Sequence, residues 1–290
     1  MRIKFLLGIV AIIVAVVGIV IVLASENALV IHPKGIIAQS ELELIVINIL
    51  LMLLIIVPTY IVLFTVVWKY CITKSRRAIF DPEYQSGPLA EWMMWILPSL
   101  IVFVMAIVTW NATHALNPYK PLVSERKPVS VQVVALDWKW VFIYPELGIA
   151  TLNYFSIPEE TPIHLRLTAD GSPMNSFWIP QLSGQIYSMT GMSTQLHLMA
   201  SAPGKYVGRA VEINGEGYAD MTFAVESKSL QDFEEWIREV KKSSAQLTKE
   251  IYNDLVTPSV NKSILLFSDV DKELYETIVQ KYMYPTSAVL

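Results

Sequence analysis

Two long apolar runs, Leu42–Trp68 and Trp92–Trp110, constrain this chain more than anything else in it. Each can cross the hydrocarbon core of a bilayer, which takes about 20 helical residues. Neither run carries a charge at its centre, which argues against a transporter or proton pump built from this chain alone. Pro58 and Pro98 interrupt them, as membrane helices allow where neighbours satisfy the freed carbonyl. Trp92 and Trp110 flank the second run as interfacial anchors do.

The loop between the runs, Lys69-Tyr-Cys-Ile-Thr-Lys-Ser-Arg-Arg77, holds four basic residues. The positive-inside rule assigns such a loop to the cytoplasm, so everything after Asn111 is expected outside, in the periplasm of a bacterium. Residues Phe5 to Ala24 form a third apolar stretch behind Arg2 and Lys4, readable either as a cleaved signal or as a first span. The stretch ends Val-Leu-Ala-Ser25, a lipoprotein box with serine in place of the cysteine that would carry the lipid.

The expected organisation is therefore a signal or span at 1–24, spans at 42–68 and 92–111 around a cytoplasmic loop at 69–91, and an external half. A hydrophobic content of 53% with only 17% charged residues agrees with membrane spans. A net charge of −4 leaves no basic stripe for nucleic acid. The single cysteine, Cys71, excludes any site that needs two thiolates from this chain.

Beyond Lys127 the pattern turns to period two. Runs at 129–133, 137–144, 151–157, 163–168, 194–200 and 221–225 alternate as strands do, and Pro158, Asp170-Gly171-Ser-Pro173, Pro203-Gly204 and Gly215-Glu-Gly217 divide them. Strands at this spacing predict an all-β sandwich over residues 125–226. From 227 to 290 the period becomes helical. Leu230, Phe233, Trp236, Ile237 and Val240 share a face behind Ser229-x-x-Asp232, a capping box, and Leu274, Ile278 and Tyr282 share another. These helices pack on the sandwich or on a partner.

Candidate chemistry is sparse. His32, His114, His164 and His197 have no second histidine at helical spacing, and His164 and His197 fall within strands as structural residues would. No phosphate loop, His-Glu-x-x-His or Gly-x-Ser-x-Gly is present. Trp138, Trp140 and Tyr144 alternate on one strand, which predicts a common direction. They suit sandwich core or a partner-facing edge, and would serve an electron relay only with a metal at its end. Glu91, at the cytoplasmic start of the second run, reads as a solvated carboxylate favoured by the helix dipole.

The stretch Arg209–Phe223 contains Ala210-Val-Glu-Ile-Asn-Gly-Glu-Gly-Tyr-Ala-Asp-Met221. Its form x-x-Glu-Ile-x-Gly-x-x-x-x-x-Met resembles the dinuclear copper loop of haem–copper oxidase subunit II. Glu91-x-x-x-Trp95-x-x-Pro98 and the order of helices before a cupredoxin-like sandwich resemble the same family. Residues 109–118, 137–145, 148–151, 174–180 and 185–192 are similar to subunit II of its bo-type quinol oxidases.

The resemblance implies copper ligands at Asn175, Ala210, Asn214 and Tyr218, where the family writes His, Cys, Cys and His, and retains only Glu212 and Met221. One thioether and a carbonyl do not hold a copper pair. That departure implies the quinol-oxidising branch, with haems, the remaining copper and the quinol site in a partner subunit I. It also implies smaller membrane subunits, no cofactor in this chain, and a place for Glu91 at the mouth of a proton-uptake channel. Two other functions stay open on the residues: a cytochrome c oxidase subunit with an unconventional copper site, and a membrane-anchored cupredoxin-like binding module with no oxidase partner.

Overall fold

The computed structural model describes residues 28–69, 87–172, 174–260 and 263–283, with Gly18, Ser25 and Glu83 singly. The expected N-terminal segment 1–24, apart from Gly18, and most of the basic loop including Cys71 lie outside the described residues. The chain divides into two compact units, one of Leu42–Asn117 and one of Met1–Glu41 with Pro118–Leu290.

Two helices, α1 (Ile36–Lys69) and α2 (Pro88–Ala115), supply the first unit. At 1.5 Å per residue they run about 51 and 42 Å, more than the roughly 30 Å of a hydrocarbon core. Their apolar side chains, Leu50, Val62, Phe64, Leu100 and Phe103 among them, are exposed, so the surroundings they suit are lipid or other membrane helices. The hydroxyls of Thr59, Thr65 and Thr113 donate back to the carbonyls of Ile55, Ile61 and Thr109, which satisfies them without water. Pro88 opens α2 in the first turn, where its missing N–H costs nothing.

The second unit holds the sandwich. Among the described residues its strands are β1 (Val129–Leu136), β2 (Lys139–Tyr144), β3 (Ile149–Leu152), β4 (Tyr154–Pro158), β5 (Ile163–Ala169), β6 (Met174–Trp178), β7 (Ile186–Met189), β8 (Thr194–Leu198), β9 (Gly204–Ala210), β10 (Thr222–Lys228) and β11 (Leu265–Phe267). One sheet runs β11-β3-β2-β1-β5-β8 and the other β4-β10-β9-β6-β7. Pairing is antiparallel except for β1 with β5 and β10 with β4, the crossovers that tie early and late strands together.

Between the sheets Phe142 stacks on Phe155 at 4.9 Å and Phe177 on Phe223 at 5.1 Å, with Trp140 edge-on to Phe177 at 5.3 Å. Such pairs contribute about 0.5–1.5 kcal/mol each beyond the area they bury.

The six-stranded sheet is covered on its other face too. Val134, Leu136, Val141, Ile143, Ala150 and Leu152 pack against Leu247, Tyr252, Phe267, Leu274, Tyr275, Ile278 and Val279 of the C-terminal extension. The helical faces of the extension therefore pack on the sandwich of their own chain. Burial on both faces makes β2 buried at every position, where a strand with one wet face would alternate.

The extension comprises α3 (Leu230–Val240), α4 (Lys249–Val256) and α5 (Leu274–Met283), and it also carries β11, which pairs with β3. Ser229 caps α3 as its spacing predicts, its hydroxyl accepting from the Asp232 N–H at 3.2 Å.

Candidate functional site: the β9–β10 loop

The loop that resembles a copper site joins β9 to β10. Pairing of Phe177 with Ala210 sets β6 beside β9, and this brings Asn175, a separate strand's residue, to the loop. The Ala210 N–H donates to the Met221 carbonyl at 3.0 Å and the Val211 N–H to the Ser176 carbonyl at 3.2 Å. A short 3-10 helix, Tyr218–Asp220, returns the chain to β10, with the Met221 N–H donating to the Tyr218 carbonyl at 3.1 Å.

Inside the loop, Asn214 Nδ2 donates to Asn175 Oδ1 and lies 3.8 Å from Met221 Sδ. Asn175 is fully buried, and Met221 nearly so. Three of the six family positions, Asn175, Asn214 and Met221, thus meet through their side chains. Ala210 meets Met221 through its backbone, while Glu212 and Tyr218 lie in the same loop.

The donor set does not fit a copper pair. It offers one thioether, no thiolate and no imidazole, and its two amides share a single hydrogen bond that leaves Asn175 Nδ2 and Asn214 Oδ1 buried without a partner. Among the described residues no group of three or more His, Cys, Asp or Glu is gathered as a metal site.

The aromatic run on β2 divides. Trp140 and Tyr144 point into the sandwich, fully buried, with Phe142 between them on the same side. The Tyr144 hydroxyl donates to the Ser156 carbonyl at 2.8 Å, and burial raises its pKa. Trp138 departs from the expected common alternation, because it occupies the turn before β2 at φ 63°, a left-handed conformation that ends the period-two pattern. Its indole packs at the margin of the same core and lies against the loop glycines Gly215 and Gly217. A Cβ at Gly217 would fall 2.4 Å from Trp138 Cδ2, so only glycine lets the loop approach the ring so closely.

Two clusters are formed by residues far apart in sequence. Asp170, buried beyond β5, accepts from Tyr252 at 2.8 Å, Tyr282 at 2.7 Å and Lys281 at 2.8 Å. Burial, then the charge and hydrogen bond of Asp170, raise the Tyr252 pKa. Burial disfavours the Lys281 ammonium, but the hydrogen bond and charge of Asp170 outweigh it and raise its pKa. Nearby, burial raises the Asp137 pKa against the attraction of Lys139.

His164 and His197, partners across β5 and β8, stack at 4.7 Å and 7°. His197 Nδ1 lies 2.9 Å from the Pro118 carbonyl, which can only accept, so that nitrogen carries the proton. Burial lowers the His164 pKa, aided by His197 and Arg166 and opposed by the hydrogen bond to Gln195. Glu91 is exposed in the first turn of α2, in the unit of the two apolar helices.

Two membrane helices carrying a cupredoxin-like sandwich, with a loop of copper-site form but not copper-site ligands, define the class: a membrane-anchored domain of the oxidase subunit II type. The sequence profile of the COX Aromatic Rich Motif matches residues 241–286. Cytochrome bo(3) ubiquinol oxidase subunit 2 of Pseudomonas aeruginosa is 42% identical over 251 residues, 87% of this chain and 75% of that one. Ubiquinol oxidase subunit 2 of Acetobacter aceti is 42% identical over 90% of this chain and 85% of its own length. Quinol oxidase subunit 2 of Bacillus cereus is 40% identical over 81% of each. The periplasmic domain of cytochrome oxidase subunit II from Bradyrhizobium japonicum matches 42% of this chain and 98% of its own at 19% identity and a TM-score of 0.39.

The chain belongs to the quinol oxidase subunit 2 family.

Proposed function

We propose that this chain is the membrane-anchored subunit, without a dinuclear copper centre in its β9–β10 loop, of a terminal quinol oxidase in a bacterial inner membrane, with its sandwich in the periplasm. The complex oxidises quinol, reduces dioxygen to water and contributes to the proton gradient. Haems, one copper and most of the quinol site belong to a many-span subunit I. This chain supports that assembly, closes its outer face and supplies Glu91 at the mouth of proton uptake.

The observation that carries the reading is the chemistry of the β9–β10 loop. A subunit that passed electrons from a water-soluble donor would need a relay on its outer domain, and Asn175, Ala210, Asn214 and Tyr218 provide no soft ligand for one. Quinol delivers electrons within the membrane, so such a relay has no task.

The test is purification of the tagged full chain from its own membranes. Co-purification of a haem-bearing multi-span subunit, with oxygen consumption driven by quinol and not by cytochrome c, is the expected result. Turnover on cytochrome c, or a chain that purifies without a haem-bearing partner, would overturn the reading.

A further inference from the structure

Methionines gather at one corner of the sandwich that the proposed function does not use. On β6 and β7, Met174 and Met189 are paired directly across the ladder. Strand alternation turns Phe177 into the core, and Met174, three residues earlier, to the opposite, outer face with its partner Met189. Directly opposed residues place their Cβ atoms about 4.5–5.5 Å apart.

A tight turn adds a third thioether. The Met192 N–H donates to the Met189 carbonyl at 3.4 Å, and Gly191 between them has φ +69°, which closes a four-residue turn with Met189 and Met192 at its two ends. The ends of such a turn lie within about 7 Å at Cα. The last turn of α5 packs against the same glycine: the Met283 backbone nitrogen lies 3.4 Å from where a Cβ of Gly191 would be. Met174, Met192 and Met283 are 36%, 48% and 54% exposed, so these large apolar side chains face water.

Methionine is unbranched, with three rotatable bonds, so sulfur atoms on adjacent backbones can converge on one point. Thioethers are soft neutral ligands that select monovalent copper or silver over zinc, calcium or magnesium. We infer that Met174, Met189 and Met192 form an external thioether site for a soft monovalent cation of the Cu(I) class, with Met283 as a fourth sulfur at its rim. The site is distinct from the β9–β10 loop, whose own thioether, Met221, is buried. No proton or electron moves on binding, because a thioether ligates without being deprotonated.

The test titrates Cu(I), held reduced and buffered by a chromophoric Cu(I) chelator, into the full chain in detergent. Methionines carrying a 13C label in the methyl group are followed by NMR. Stoichiometric binding that shifts the methyls of Met174, Met189 and Met192, leaves Met221 unmoved, and disappears in the Met174→Leu, Met189→Leu, Met192→Leu variant is expected. Leucine keeps the volume and apolarity of each side chain, so circular dichroism of the variant should match wild type. Absence of stoichiometric Cu(I) binding to wild type, or equal binding by the folded triple variant, would overturn the inference.

Discussion

Tyr252 and Tyr282, on two helices of the C-terminal extension, donate to the two oxygens of one buried carboxylate, Asp170. Asp170 lies just beyond β5, so a single side chain ties α4 and α5 of the extension to the six-stranded sheet. Lys281 donates to the same oxygen as Tyr282 and balances the charge. The apolar contacts of Leu247, Phe267, Leu274 and Ile278 hold the extension on the sheet without specifying register. The carboxylate, together with the backbone pairing of β11 with β3, fixes it.

Asp170→Ala leaves the buried Tyr252 hydroxyl without its acceptor and removes hydrogen bonds to a charged group. Each such bond contributes about 1.5–3 kcal/mol, so a loss of roughly 2–4 kcal/mol is expected once the half-exposed Lys281 is discounted. Limited proteolysis of the full chain should cut between α3 and α5 faster than in wild type. Asp170→Asn, which keeps one acceptor oxygen, should fall between the two. Equal cleavage of all three proteins would show that packing alone holds the extension.

Alkaline pH should loosen the same contact. The folded-state pKa values of Tyr252 and Lys281 both lie above their ordinary values, and burial pushes Tyr275 up to about 12. A raised value means the folded state holds the proton more tightly. The stability it gives is full below the ordinary tyrosine and lysine values, 10.0 and 10.5, and is lost as pH rises through the folded ones. Unfolding midpoints should fall above about pH 10, and Tyr252→Phe, with no proton to lose, should fall less steeply. A parallel decline in both proteins would remove Tyr252 from the account.

The opposite dependence is expected at His164. Its pKa is lowered, so its contribution is present above the ordinary value of 6.5 and is lost as pH falls through the folded value. Protonation would put charge beside the His197 ring and near Arg166. Thermal midpoints of wild type should drop between pH 7 and 5, and His164→Gln should flatten that slope. An unchanged slope would assign the acid response to other groups.

What the sequence made legible follows its periodicities. The long apolar runs, the alternation through β1, β2 and β5, and the Ser229 cap are local signals, and each produces the element expected of it. Strands β6, β7 and β9 were not legible, because Asn175, Ser176, Ser188, Gly204 and Gly208 interrupt their apolar pattern. β11 is a three-residue strand between helices, too short to show a period. The candidate site divides in the same way. Met221 and the loop glycines stand in a readable order, whereas the approach of Asn175 depends on β6 pairing with β9. Asp170 reads in sequence as a turn residue, and only the docked extension makes it a hub. An i+4 spacing of Leu274, Ile278 and Tyr282 did mark the face on which one of its donors lies.

The amide pair of Asn175 and Asn214 is expected to take over the cross-link between β6 and the β9–β10 loop. A neutral hydrogen bond contributes about 0.5–1.5 kcal/mol, and a buried group left without its partner costs about 1–3 kcal/mol. Asn175→Ala and Asn214→Ala should each lower stability by about 1–2 kcal/mol. The double variant should lose less than the sum of the two, since each single change strands the other's amide. Additive losses would mean that the two side chains are not coupled. Metal analysis of the purified Met174→Leu, Met189→Leu, Met192→Leu chain should find no copper, since this loop supplies no ligand pair for it.

Glu91 carries the prediction most specific to the proposed function. It lies in the first turn of α2, behind Pro88, where the helix dipole favours a carboxylate. A surface carboxylate at the foot of a membrane helix can take protons from water and pass them inward. Proton transfer by a positioned group is typically worth about 10²–10⁴ in rate. Because water itself also reaches a channel mouth, Glu91→Gln should cost less, about tenfold in quinol-driven oxygen consumption and in proton uptake together. Glu91→Asp should recover part of both, since it restores a titratable group one methylene shorter. Haem content and assembly of the complex should match wild type in every variant, which separates a proton-handling role from a structural one. A Glu91→Gln complex that takes up protons and turns over like wild type would remove Glu91 from the uptake route and leave it as a helix-terminal charge.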